Sequence, residues 1–113
     1  MIEGEEGLIR ATIRGFSRSI ILWILNKESS SGYRILKELR RLTNQKFYSG
    51  TVYPLLYELE RGGFIIGDWK SRGRRRIKYY LITDKGREML NRLRELFKKP
   101  VGQVLKSFLG EEK

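Results

Sequence analysis

Neither cysteine nor histidine occurs anywhere in the 113 residues. Without cysteine, disulfides, thiolate zinc sites and thiol nucleophiles are excluded. Without histidine, the most frequent general base, the serine-protease type of triad and the commonest metal ligand are missing too. Acidic residues are sparse, 13 against 24 Lys and Arg, and they are dispersed along the chain. Glu58 and Glu60 stand two apart on an expected helix, so they point to different sides and do not form a carboxylate pair. No Walker, dinucleotide-binding or metal-ligand pattern is present. A non-enzyme with no metal and no cofactor is expected. Long hydrophobic runs are absent as well: the longest, Ile20 to Leu25, has six residues, where about 20 are needed to span a bilayer. The acidic N-terminus has none of the character of a signal peptide, and a cytoplasmic protein without a membrane partner is expected.

What the chain has in excess is positive charge. The formal net charge is +11, which favours a polyanion, and a phosphate backbone is the leading candidate because each neutralised phosphate releases a condensed counterion. A hydrophobic share of 40% is compatible with one packed core.

From Leu8 to Asn26, Ile9, Ile13, Phe16, Ile20 and Ile24 recur at helical spacing, and the second half of this segment is apolar nearly all round. Arg10, Arg14 and Arg18 form a basic stripe on it, read as a solvated face or as partners for acidic residues of another chain. A Ser-rich turn from Glu28 to Gly32 follows, with Ser31 placed to cap a second helix that buries Ile35, Leu36, Leu39 and Leu42. Thr43 to Tyr48 reads as a polar turn. A third helix, with Ser49 as its expected cap, buries Val52, Leu55, Leu56 and Leu59, carries Pro54 in its opening turns and ends at Gly62-Gly63. Phe64 to Ile66 and Ile77 to Ile82 read as the strands of a hairpin, with Lys70 to Arg75 as its loop. Thr83-Asp84 caps a final helix whose apolar period runs from Met89 to Phe108 across Pro100, where a kink or short break is expected.

This order predicts a mainly α fold with a small β-hairpin, a winged helix-turn-helix with a long C-terminal dimerisation helix. Residues 1–83 form the DNA-binding part and 84–113 the dimerisation part. In such folds the later helix lies in the major groove and reads it from its N-terminal residues. The candidate DNA contacts on and before that helix are Lys46, Tyr48, Ser49, Gly50, Thr51, Tyr53, Pro54 and Tyr57. Small residues at the tip let backbone N–H groups approach a phosphate, and the tyrosines either reach phosphates and sugars or serve as packing. The hairpin adds Arg72, Arg74, Arg75, Arg76 and Lys78: between Lys70 and Tyr80 there are six basic residues and no acidic one, with Gly73 at the tip. A projecting element of one sign suits the backbone or a minor groove, where arginine is favoured.

The segments Ser31-Gly32-Tyr33, Ser49-Gly50-Thr51-Val52-Tyr53-Pro54-Leu55-Leu56, Leu59-Glu60-Arg61-Gly62-Gly63 and Tyr79-Tyr80-Leu81-Ile82-Thr83-Asp84-Lys85-Gly86 closely resemble the PadR family of transcriptional regulators, from about residue 17 to residue 97. The resemblance implies a winged-helix homodimer whose C-terminal helix packs against the first helix of the other subunit. It also implies a repressor that, in some members, small and often aromatic compounds release. Three features depart from the family: Arg34 stands where an acidic residue is frequent, the wing is about one residue longer, and Pro100 interrupts the last helix.

The expected dimer face comprises Ile9, Ile13, Phe16, Leu93, Leu96, Phe97, Val101, Val104 and Leu105, apolar residues for which one small core has no room. A ligand-accessible apolar space near Phe16, Trp23 and Phe97 follows from the resemblance. The expected partners are a palindromic double-stranded DNA operator, a second copy of the chain and a small aromatic ligand. An architectural protein that coats DNA without reading bases is the alternative.

Overall fold

A computed structural model describes residues 4–111. Helix α1 (Gly4–Lys27) is followed by a two-residue strand β1 (Ser30–Ser31), then α2 (Gly32–Thr43), α3 (Ser49–Arg61), strands β2 (Ile65–Arg72) and β3 (Arg75–Ile82), and helices α4 (Asp84–Lys98) and α5 (Val101–Leu109). The core is built where the periodicities converge. Ile21, Ile35, Leu39, Val52, Leu55, Leu56 and Ile65 are wholly shielded from solvent, so the second half of α1, the inner stripes of α2 and α3 and the start of β2 meet in one cluster. Before Ile20, α1 overhangs this cluster: Ile13 packs at its edge, and Ser17, the one buried residue of that part, donates its hydroxyl to the Ile13 carbonyl at 2.8 Å.

Several boundaries follow from identifiable side chains. The Ser31 hydroxyl accepts from the Arg34 N–H, so α2 is capped although Arg34 replaces an acidic residue; the Arg34 side chain turns back to pair with Glu28. The Thr83 hydroxyl caps α4 by accepting from the Gly86 N–H at 3.0 Å and also donates to the Gly63 carbonyl at 2.7 Å, tying the end of the sheet to the end of α3. The left-handed residue after α3 is Gly63 (φ +79°), while Gly62 stays right-handed (φ −75°). The apolar period beyond Met89 is divided in two: Lys99 leaves α4 in an extended conformation (φ −153°, ψ 132°), and α5 begins after Pro100.

Five expectations need correction. Leu42 is 36% exposed and lies outside the core. The segment read as a wholly polar turn buries Phe47, whose carbonyl accepts from the Arg40 guanidinium at 2.8 Å. Ser49 is not the cap of α3: Tyr48 occupies that position with no side-chain hydrogen bond, and the first turn is held by the Thr51 and Val52 N–H groups donating to the Tyr48 carbonyl. The expected loop Lys70 to Arg75 is mostly strand, because β2 and β3 pair in continuous register from Ile65↔Ile82 to Arg72↔Arg75, leaving only Gly73 and Arg74 in the turn. Gly73 takes φ +61° there, a conformation that carries no Cβ penalty only in glycine. Part of the Ser-rich turn is itself strand: Ser30 and Ser31 pair with Tyr80 and Tyr79, which makes β3 the central strand of three in the order β1-β3-β2.

Candidate nucleic-acid interface

Helix α3 buries one side and leaves the other open. Ser49, Gly50, Tyr53, Pro54, Tyr57 and Arg61 are exposed and Thr51 is half-buried. Tyr53 combines packing with exposure: a Cβ added to Gly32 would lie 2.5 Å from its hydroxyl oxygen, so the ring rests against the bare backbone at the start of α2 while 44% of the residue stays open. Only glycine at position 32 allows that approach. Tyr57 lies beneath the Arg61 guanidinium, 5.7 Å from ring centroid to guanidinium carbon. In the turn before α3, Lys46 and Tyr48 are exposed.

The hairpin divides its basic residues between two faces, since directly paired residues share a side. Ser71 and Arg76, Trp69 and Lys78, and Gly67 and Tyr80 lie on the face that leads down to buried Ile65; Arg72, Arg75, Lys70 and Tyr79 lie on the other. Arg72, Arg74, Arg75 and Arg76 are all exposed, and none of the four pairs with a carboxylate among the described residues. Arg76 stacks over Trp69 at 5.4 Å.

Lys78 is placed differently from the other basic residues of the wing. Its stem crosses Gly67, where a Cβ would lie 2.0 Å from its Cε, and its ammonium donates to Glu60 of α3 at 3.0 Å. The hydrogen bond to Glu60 raises the Lys78 pKa above its ordinary value, against the opposing effect of desolvation. This half-buried pair is a strut between wing and α3. Glu58 makes a second strut on the other flank: the Arg18 guanidinium on α1 donates to its carboxylate at 2.7 Å, and that bond holds the Glu58 carboxyl below the usual carboxylate range. Neither strut was assigned from the sequence. The signal lies in the spacing of the two glutamates, which sends them to opposite sides of α3 with a cationic element waiting on each.

On the far side of α1 a cleft of about 400 Å³ is lined by Phe16, Trp23 and Phe97 together with Ile20, Leu90 and Leu93. Phe16 and Phe97 meet edge-to-face at 5.4 Å, and the Lys27 ammonium lies 3.8 Å from the Trp23 ring centroid. Of the expected dimer-face residues, Ile9, Phe16, Leu96, Val104 and Leu105 are exposed, and Ile13, Leu93, Phe97 and Val101 are half-buried. No group of three or more acidic residues that could hold a metal ion occurs among the described residues, and no described helix is long and apolar enough to cross a membrane.

No curated protein matches the chain. Solved structures do. A PadR-like transcriptional regulator from Bacillus cereus is similar at 28% identity over 90% of this chain and 99% of that one, with a TM-score of 0.78. A transcriptional regulator from Clostridium thermocellum is similar at 29% identity over 87% of this chain and 94% of its own, with a TM-score of 0.76. A PadR family transcription regulator from Clostridium difficile is similar at 26% identity over 83% and 98%, with a TM-score of 0.73. The model of the transcriptional regulator PadR-like family matches residues 21–92, which is more than half of the chain and runs from the buried part of α1 through the wing into α4, and the protein therefore belongs to that family.

Proposed function

We propose that the protein is a homodimeric regulator that binds a specific double-stranded DNA operator and acts as a repressor released by a small ligand, in the cytoplasm. One observation carries the DNA-binding reading: the Glu60–Lys78 strut fixes, beside the open arc of α3, a wing bearing four arginines that pair with no carboxylate among the described residues. In this reading α3 enters the major groove with Ser49, Gly50, Thr51, Tyr53, Pro54 and Tyr57, and Lys46 and Tyr48 flank it. Arg72, Arg74, Arg75 and Arg76 follow the backbone or an adjoining minor groove. Lys78 serves by holding the wing rather than by touching DNA.

Residues 1–83 supply this surface and residues 84–113, with α1, supply the dimer. Two copies meeting through Ile9, Ile13, Phe16, Leu93, Leu96, Phe97, Val101, Val104 and Leu105 would cover apolar surface that one copy leaves open. A two-fold dimer reads a palindrome, with half-sites about 34–36 Å apart for a single helical turn. The cleft at Phe16, Trp23 and Phe97 is an apolar slot in which a planar aromatic compound would fit.

Selection of bound fragments from genomic DNA, followed by footprinting, tests the reading. A discrete protected site with two symmetric halves is the expected outcome. Even protection of all sequences would make the protein architectural instead, and absence of binding at low salt would overturn the DNA-binding assignment. Titration with planar aromatic compounds, followed by tryptophan fluorescence and by operator binding, tests the ligand; no saturable change across a broad panel removes it.

A further inference from the structure

We infer that the overhanging half of α1 belongs to the nucleic-acid surface: Arg10 and Arg14, together with Lys46, form a cationic groove that seats the sugar-phosphate backbone beside the start of α3. The inference rests on the DNA-binding reading above and extends it to an element outside the helix-turn-helix and the wing.

Arg10, Arg14 and Arg18 recur every four residues and so share one face of α1. The bond from Arg18 to Glu58 shows which way that face looks, which is onto α3. From Arg18 back to Arg10 the helix axis advances by about 12 Å, and from Glu58 back to Thr51 by about 10.5 Å. Here the two helices run in the same sense, and the matched lengths bring the two outer arginines to the amino end of α3. A groove of about 390 Å³ opens there, lined among others by Arg10, Arg14, Lys46, Phe47, Tyr48 and Thr51, and none of its lining residues is acidic.

The charge in this groove is uncompensated. Arg10 and Lys46 pair with no carboxylate among the described residues. The positive charge of Arg14 helps to lower the Glu58 pKa, but the hydrogen bond to that carboxylate comes from Arg18. Three cations around one groove repel each other until an anion enters. The shape favours a polymer over a single ion, because a second groove, to which Arg40 and Asn44 are added, continues from the first and shares Gln45, Lys46 and Tyr48 with it. Such a path suits one strand of a duplex whose major groove holds α3. Contacts of this kind strengthen binding without reading bases.

The test compares the full-length protein with the variants R10Q/R14Q, R10K/R14K and R74A/R75A/R76A on a duplex carrying the footprinted site and on a scrambled duplex, each at several salt concentrations. For R10Q/R14Q the expected result is weaker binding to both duplexes by a similar factor, roughly tenfold or more at 0.1 M salt, and a salt slope of log K smaller by up to about two units. R10K/R14K keeps the charge and should retain most of that slope. Unchanged affinity and slope in R10Q/R14Q, with the wing variant weakened, overturns this inference and leaves the DNA-binding reading standing. A shift in the sedimentation of R10Q/R14Q would assign the groove to a second copy of the chain and overturn it equally. Failure of the unaltered protein to bind any duplex at low salt would remove both.

Discussion

Two apolar stretches of this chain have opposite fates. Ile20 to Leu25 and Val101 to Leu109 are both rich in aliphatic side chains. The first is buried at every position except Trp23, while no residue of the second, α5, is buried, and Phe108 remains 82% and Val104 66% exposed. An apolar pattern states that a surface seeks cover without naming the cover. Ile20 to Leu25 finds it where α1 packs against α2, α4 and β3 of the same chain. Helix α5 packs chiefly on α4 and adds no side chain to that cluster. Hence the first stretch specifies the fold, and the second is left to the proposed dimer.

The largest expected effect is in the buried stretch. Leu22→Ala removes a side chain only 2% exposed and should lower stability by about 2–5 kcal/mol, read as a fall in the denaturant midpoint at fixed protein concentration. A loss below about 1 kcal/mol would mean that this stretch does not anchor the core. Next, Phe108→Asp should leave the helical circular-dichroism signal of the chain intact but weaken self-association. Burial of such a side chain is worth about 1.5–3 kcal/mol, or roughly a 10- to 150-fold change in dimer dissociation constant by sedimentation. An unchanged constant would remove α5 from the interface.

Smaller effects sharpen the boundary between the two regions. Thr83→Ala deletes the hydroxyl that caps α4 and bonds Gly63, and should lower the thermal midpoint in line with a loss of about 0.5–2 kcal/mol. Because α4 joins the buried body to α5, this variant shows whether the two regions unfold together. The smallest effect belongs to Glu58. Its carboxyl is held below the ordinary range by Arg18, so the folded state binds the proton less readily than the unfolded chain. The contribution of the pair is therefore complete above the ordinary carboxylate range and lost as the pH falls through the lowered value. Both partners are substantially exposed, so Glu58→Gln should remove only a slight part of the acid sensitivity of the denaturant midpoint. A large change would mean that α1 and α3 are held together chiefly by charge.

The order of elements was legible because each depends on neighbours in the sequence: the periods of α1 to α4, the caps at Ser31 and Thr83, the break at Pro100 and the single sign of the wing. The candidate DNA face was legible to the same extent, since α3 has to bury Val52, Leu55, Leu56 and Leu59 and thereby turns Ser49, Gly50, Tyr53 and Tyr57 outward. Local pattern failed where a long-range neighbour decided. Phe47 looks isolated in a polar turn, and nothing in its surroundings along the chain announces the core beneath it. Strand β1 exists only because Tyr79 and Tyr80 arrive beside Ser30 and Ser31 from about fifty positions away.

The sequence by itself determined which residues carry charge, which segments are helical and which faces are apolar, because these follow from side-chain chemistry repeated at a fixed local spacing. Tertiary structure alone decided how the charges are employed. Within one basic family of side chains it separates Arg18 and Lys78, neutralised by Glu58 and Glu60, from Arg10, Arg14 and the wing arginines, which have no such partner among the described residues. Whether a cation is a strut or a binding group depends on a carboxylate within hydrogen-bond reach, and only the folded chain sets that distance.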